Sequence, residues 1–244
     1  MHNAAFRALG LDAVYVALRA APGQVSEVIR ALAHAGGGGN ITVPHKESAA
    51  RSLTLPSARV KALGACNTFW GAGAEVHGDN TDVDGVLAAL AQLEAPATAW
   101  LVAGTGGGAR AVIAAAQARG ARVAITSRDA GRRQRFEEWA AGQGVPVAPA
   151  NECEVLINTT PLGLKPGDHL PIAQDDAPHA QVALDMVYGK GETIWVREMR
   201  QEGLNAADGR VMLVAQGAAA FKRWFPDEDP PLEVMRAAVN DALR

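Results

Sequence analysis

Two cysteines, Cys66 and Cys153, are too few and too far apart in 244 residues for a disulfide framework or a zinc site. Both read as small core residues of a protein kept in a reducing cytosol, and no metal is expected. The chain has no apolar run near the roughly 18 residues that span a membrane. Its opening, Met-His-Asn-Ala-Ala-Phe, has no signal-peptide pattern, so a cytoplasmic location with no membrane partner is expected. A dominant charge is missing as well: 23 basic and 26 acidic residues leave a formal net charge of -3. That balance gives no basic stripe for nucleic acid and no acidic tail, which points to a small-molecule partner. Lysine is scarce, with five of the 23 cations (Lys46, Lys61, Lys165, Lys190 and Lys222), so each one retained carries slightly more weight.

What is present is apolar residue, at 48% of the chain, enough to bury the core of one large domain or two smaller ones. The most informative stretch is Val102-Ala-Gly104-Thr105-Gly106-Gly107-Gly108-Ala109-Arg110. Residues 97–102 read as a buried strand, and 109–119 as an alanine-rich helix stopped by Gly120. Strand, glycine turn and helix make a phosphate-binding arrangement. Gly104 allows a tight turn, Gly106 lets backbone approach a pyrophosphate, and Ala109 takes the small position where helix packs on strand. Unpaired amides at the helix start hold the phosphates.

Taken in order, 2–9 reads as a helix and 13–18 as a strand. Pro22 opens a helix with Val25, Val28, Ile29, Leu32 and Ala33 on one face, stopped by the glycines at 36–39. A second strand over 40–43, parallel to the first, completes a βαβ unit, and Pro44 reads as the first residue of the next helix. A helix over 57–63 and a hairpin of 65–70 with 75–78 follow, then a helix over 83–93. From residue 98 onward, strands at 122–127, 145–148, 155–158 and 182–186, with one near Leu204, alternate with helices at 132–141 and 193–202. Such alternation argues for a parallel sheet covered on both faces. Two helices, 212–224 and 231–243, close the chain.

In NAD-binding units an acidic residue about 20 positions past the first glycine holds the ribose 2′-hydroxyl. Here the second strand ends in Thr126-Ser127-Arg128-Asp129, with Arg132 and Arg133 next. Arg128 and Arg132 suit a 2′-phosphate, so NADP is the expected cofactor. The competing reading is a solvated helix start. Asp129 either salt-bridges one arginine or faces the ribose.

Polar residues cluster in Asn40-Ile-Thr42-Val-Pro-His45-Lys46, Gly64-Ala-Cys-Asn67-Thr, Gly78-Asp-Asn-Thr-Asp82 and Asp208-Gly209-Arg-Val-Met-Leu-Val-Ala-Gln216. Singly, Lys46 reads as a solvated residue at a helix start and Asp82 as a helix N-cap. Asn67 reads as a turn residue, Gln216 as a helix bridge and Tyr188 as core. Together, in this order and spacing and with the glycine turn, they resemble the shikimate dehydrogenase family over nearly the whole chain. The resemblance implies NADPH-dependent reduction of 3-dehydroshikimate to shikimate, with Lys46 and Asp82 as the catalytic pair. It further implies that Thr42, Asn67, Asp82, Tyr188 and Gln216 contact substrate. Gly104, Thr105, Gly106, Gly107, Gly108, Ser127, Arg128, Arg132, Met186 and Gly209 would line the cofactor, and His45 is a surface neighbour. The implied fold is α/β: an N-terminal substrate domain with a mixed sheet (1–82 and 209–244) and a Rossmann-type doubly wound NADP-binding domain (83–208), the C-terminal helices returning to the first domain. The molecule is expected to be a monomer or homodimer. The chemistry is coherent on its own terms: hydride reaching a ketone builds negative charge on oxygen, which an ammonium paired with a carboxylate stabilises and protonates.

Family members carry a strand and a Ser-x-Ser stretch just ahead of the Met-His-Asn that forms residues 1–3 here. Those serines hold the substrate carboxylate, and neither Ser26 nor Ser48 replaces them by motif. The expectation is a misassigned start at an internal methionine rather than a truncated protein. Two alternatives accompany the main reading: a quinate/shikimate dehydrogenase using NAD or NADP, and a non-catalytic nucleotide-binding protein.

Overall fold

In the computed structural model, which describes residues 1–165 and 167–244, α1 (His2–Leu9) ends at Gly10 in the left-handed conformation that glycine adopts without Cβ strain. Residues 13–18, all described, form no strand, contrary to the alternation of their side chains. The reason lies in Asn3, whose amide takes both backbone groups of Tyr15: it donates to the carbonyl at 2.8 Å and accepts from the N–H at 2.6 Å. Val14, Val16 and Leu18 are left exposed. Next, α2 (Val25–His34) buries Val25, Ile29 and Ala33 on one face. They pack with Ala49, Val60, Cys66, Phe69 and Val76 into a core.

The strand expected at 40–43 is shifted: β1 covers Gly38–Asn40 and runs antiparallel to β3 (Thr68–Ala72), so no βαβ unit forms. Pro44 does not begin a helix either. It follows a cis peptide bond inside a turn closed by His45 N–H on the Thr42 carbonyl, and α3 (Lys46–Ala50) starts beyond it. A strand with no expectation behind it, β2 (Leu55–Pro56), is too short for a pattern and pairs parallel to β4 (Glu75–Asp79). Between them lies α4 (Ala58–Leu63), capped by the Ser57 hydroxyl. The resulting mixed sheet has the order β1-β3-β4-β2. It belongs to a unit made of Met1–Asp82 and Val214–Val239.

The other unit, Val83–Leu213 with Asn240–Arg244, holds a five-stranded sheet. Its elements are β5 (Ala99–Ala103), α6 (Gly107–Arg119), β6 (Arg122–Thr126), α7 (Ala130–Gly142), β7 (Val155–Asn158), β8 (Val182–Asp185), α8 (Ile194–Gln201) and β9 (Asn205–Ala207). All pairs are parallel, in the order β6-β5-β7-β8-β9. Strands buried on both faces read as continuous apolar runs, and Ala99–Ala103 and Val155–Asn158 are buried throughout. The strand expected at 145–148 reduces to a single bridge, Val123 to Val147, because Pro146 has no N–H to give a ladder. Three helices complete the chain: α5 (Asp82–Gln92), α9 (Arg210–Trp224) and α10 (Leu232–Ala242). Among the described residues, no helix is long and apolar enough to cross a membrane.

Candidate active site

Two helix starts, the residue ahead of β3 and the interior of α9 bring the first set of polar residues together. Lys46 is the first residue of α3, and its carbonyl accepts from Cys66 N–H at 2.9 Å, fixing the loop that carries Asn67. Asp82 opens α5 directly after the strand-end sequence Asp79-Asn-Thr81. Lys46 Nζ lies 2.5 Å from Asp82 Oδ2, and the two side chains are only 15% and 7% exposed, so this ion pair is held out of bulk solvent. The other carboxylate oxygen, Oδ1, accepts from Asn67 Nδ2 at 2.9 Å. That same amide reaches Gln216 Oε1 on α9 at 3.4 Å, and Asn67 Oδ1 accepts from Thr81 N–H at 2.7 Å. Lys46, Asp82, Asn67 and Gln216 thus form one hydrogen-bonded series. Thr42 lies outside it, exposed in the turn before Lys46, and His45 is half-buried beside it.

The residue behind this series went unnoticed in the sequence. Asp79 is buried, and its Oδ1 accepts from Ser57 at 2.7 Å and from Asn80 N–H at 2.8 Å. Arg223 donates to Oδ2 from Nε at 3.1 Å and Nη2 at 2.9 Å. Burial alone would raise this carboxyl, but Ser57, Asn80 and Arg223 outweigh it and hold Asp79 below the usual carboxylate range. An acid placed second in the polar cluster 78–82 was the one available signal. Its partner, 144 positions away, left none. Cys66 is a buried thiol pushed up to about 12 by desolvation, which leaves it protonated and inert at neutral pH.

The second set lies at the carboxyl ends of the parallel strands, where β5 is flanked by β6 on one side and β7 on the other. Chain order reverses there, and ligands of open α/β sheets bind at such a point. Gly104 has φ 110, and a Cβ on it would come within 2.4 Å of Thr159 Oγ1. A Cβ on Gly106 would meet nothing within 4 Å, so this side of the turn faces open space. Gly106 is also the N-cap of α6, with no side chain on the free amides. A Cβ on Gly108 would come within 3.2 Å of Met186 Cε, and one on Gly209 within 2.5 Å of the Met186 carbonyl. Gly108 and Gly209 therefore both lie against Met186, while Gly104 and Gly108 share Thr159 as a neighbour. Tyr188 is 38% exposed, which removes the purely core reading of its ring.

At the end of β6, Ser127 is half-buried and Arg128 exposed. Of the two readings of Asp129, the salt bridge to an arginine is the one that forms, and a capping role is added to it. Its carboxylate caps α7, accepting Arg132 N–H at 2.9 Å, with Arg132 Nε 3.7 Å away. That backbone hydrogen bond is the largest cause of its lowered pKa. Arg110 stacks its guanidinium 4.7 Å over the Trp139 ring. The open amides, the positive backbone angle and the two exposed arginines fit a phosphorylated dinucleotide. Among the described residues no group of three or more His, Cys, Asp or Glu is arranged to hold a metal ion.

Comparison with known proteins adds an independent line. A family model described as the shikimate dehydrogenase substrate binding domain matches residues 1–69, and one described as the shikimate 5'-dehydrogenase C-terminal domain matches 209–239. A shikimate dehydrogenase (NADP(+)) from Methanosarcina mazei is 36% identical over 268 aligned positions, covering 100% of this chain and 93% of the relative. Among solved structures, a shikimate dehydrogenase in complex with NADP+ superposes with a TM-score of 0.91 at 28% identity, covering 100% of this chain and 90% of that one. A shikimate 5-dehydrogenase from Thermus thermophilus, solved with NADP(H) and shikimate, gives 0.83 at 33% identity, with 99% and 93% covered.

Proposed function

The chain belongs to the shikimate dehydrogenase family, and on that premise we propose that it catalyses the reversible, NADP-dependent reduction of 3-dehydroshikimate to shikimate, with Lys46 and Asp82 as its acid–base pair. The observation that carries this reading is the buried contact of Lys46 Nζ with Asp82 Oδ2 at 2.5 Å, continued through Asn67 to Gln216. When bound, NADPH supplies the hydride. Lys46 Nζ stabilises the oxygen charge that develops on the ketone and then gives it a proton; in the reverse direction the neutral amine takes the proton of the alcohol. Asp82 keeps the ammonium aimed. Asn67 and Gln216 offer donors and acceptors suited to ring hydroxyls, and Thr42, in the same unit, is a further substrate contact.

The unit of Met1–Asp82 with Val214–Val239 is then the substrate-binding domain, and that of Val83–Leu213 with Asn240–Arg244 the nucleotide domain. The 104–108 turn holds the pyrophosphate, Ser127, Arg128 and Arg132 the 2′-phosphate, and Met186 and Gly209 the nicotinamide side. A cytoplasmic location, supported by two free and buried cysteines, belongs to the same reading. Initial rates with each pairing of NADPH or NADH and 3-dehydroshikimate, and of NADP+ with shikimate or quinate, provide the test. Turnover confined to NADP(H) and the shikimate pair is the expected outcome. Nucleotide binding without turnover of any pair would overturn it.

A further inference from the structure

Asp185 ends β8 and is fully buried, an unusual place for a carboxyl with no cation among its partners in the described residues. Its Oδ1 accepts from Val187 N–H at 3.2 Å and from Asn158 Nδ2 at 2.9 Å, and its Oδ2 from the Thr193 hydroxyl at 2.8 Å. Asn158 is its register partner at the end of β7. It is tied in turn to the loop that follows, through Thr160 N–H on its Oδ1 at 2.9 Å and its own Nδ2 on the Leu162 carbonyl at 3.1 Å. Thr193 caps α8. One carboxyl therefore joins the loops leaving two adjacent strands to the start of a helix.

What the carboxyl holds is the segment 186–188. Val187 is gripped from both sides, its N–H by Asp185 and its carbonyl by Gly209 N–H at 3.0 Å. Met186 in turn lies against Gly108 of the glycine turn. With phosphates at that turn and the adenosine ribose at the end of β6, the other half of a dinucleotide extends over the ends of β7 and β8. We propose that Asp185 is a positioning residue for the nicotinamide half of the bound dinucleotide, acting through Val187 on the 186–188 segment. The proposal rests on the reading of the second unit as the NADP site. Burial pushes the carboxyl up to about 6, against the hydrogen bonds from Thr193, Val187 and Asn158, with Asp208 adding to the rise. At neutral pH it is thus an acceptor for all three donors.

Titrating the full chain with NADP+ and, separately, with adenosine 2′,5′-bisphosphate separates the two halves of the ligand. Asp185→Ala is expected to weaken NADP+ about tenfold or more, the scale of one charge-assisted hydrogen bond, and to leave the adenosine fragment within about twofold. Asp185→Asn keeps an acceptor for Val187 N–H and recovers most of that loss. Equal weakening of both ligands, or unchanged NADP+ affinity, overturns the proposal. Should Asp185→Ala not fold, Thr193→Val removes one donor and keeps the carboxyl; a smaller split of the same sign supports the proposal, and no split overturns it. Parent protein that binds neither ligand would overturn the nucleotide reading itself, and with it this proposal.

Discussion

Replacing Lys46 by methionine removes the ammonium and keeps most of the side-chain volume. Two separable effects follow. The first is on stability: Asp82, 7% exposed, is left with Asn67 Nδ2 at 2.9 Å as its remaining donor to Oδ1 and with Oδ2 unanswered. Breaking a fully buried pair costs about 3–5 kcal/mol. Because Asn67 still donates and both groups keep some solvent contact, about 1–3 kcal/mol is the expected loss here. The second effect is on rate. Loss of a positioned general acid lowers kcat by about 100- to 10,000-fold. Adding Asp82→Asn separates the two, since the double substitution buries no unpaired carboxylate. It should therefore regain stability relative to Lys46→Met while kcat falls little further, as for residues acting as one unit. NADPH oxidation at saturating 3-dehydroshikimate measures the rate, and thermal unfolding of the same preparations measures stability. An unchanged kcat for folded Lys46→Met would refute the role given to Lys46.

Arg128→Ala is expected to raise KM for NADPH and leave KM for NADH nearly unchanged, because only the former carries the 2′-phosphate; steady-state kinetics with both cofactors tests this. Arg223→Met strips the two guanidinium hydrogen bonds from Asp79 and should destabilise the chain by about 1–3 kcal/mol at neutral pH. The sign with pH follows from the depressed Asp79 carboxyl. Its contribution is full above the ordinary value of 3.8 and is lost as pH falls through the lower folded value. Removing Arg223 raises that folded value, so acid unfolding followed by circular dichroism should begin at higher pH in the variant. An identical acid limb would show that the pair contributes nothing measurable.

The parts of this fold that were legible in the sequence are those set by local chemistry. Gly120 stops α6 in the left-handed conformation, the buried strands of the parallel sheet read as apolar runs, and the turn at 104–108 follows from its glycines. Alternation misled at 13–18 because a side chain, Asn3, satisfies Tyr15 as a neighbouring strand would, and no local pattern reveals that. Pro44 misled for a related reason: the same residue that begins helices also sits inside turns, and the Thr42 to His45 hydrogen bond selects the turn. At the candidate site the individual residues were visible and their connections were not. Asn67 and Gln216 are 149 positions apart and Lys46 and Asp82 are 36 apart, so only the fold shows that they touch. Asp185 was hidden in another way, since an acid at the end of an apolar strand looks like the first polar residue of a loop.

The order of hydrogen bonds also divides the labour within the proposed catalytic pair. Asp82 has both oxygens engaged, Oδ2 by Lys46 and Oδ1 by Asn67, so protonating it would break one of the two contacts. An ammonium has three N–H donors and Asp82 takes one, which leaves donors for a substrate oxygen. In the proposed reaction the proton that meets the ketone therefore leaves from Lys46 Nζ, and the carboxylate acts by orientation and charge. Asn67 completes the arrangement from the other side: with its carbonyl oxygen accepting Thr81 N–H at 2.7 Å, its amide nitrogen must face Asp82, and this fixes which carboxylate oxygen remains for the lysine. A side-chain amide set by backbone thus determines the direction from which the ammonium approaches.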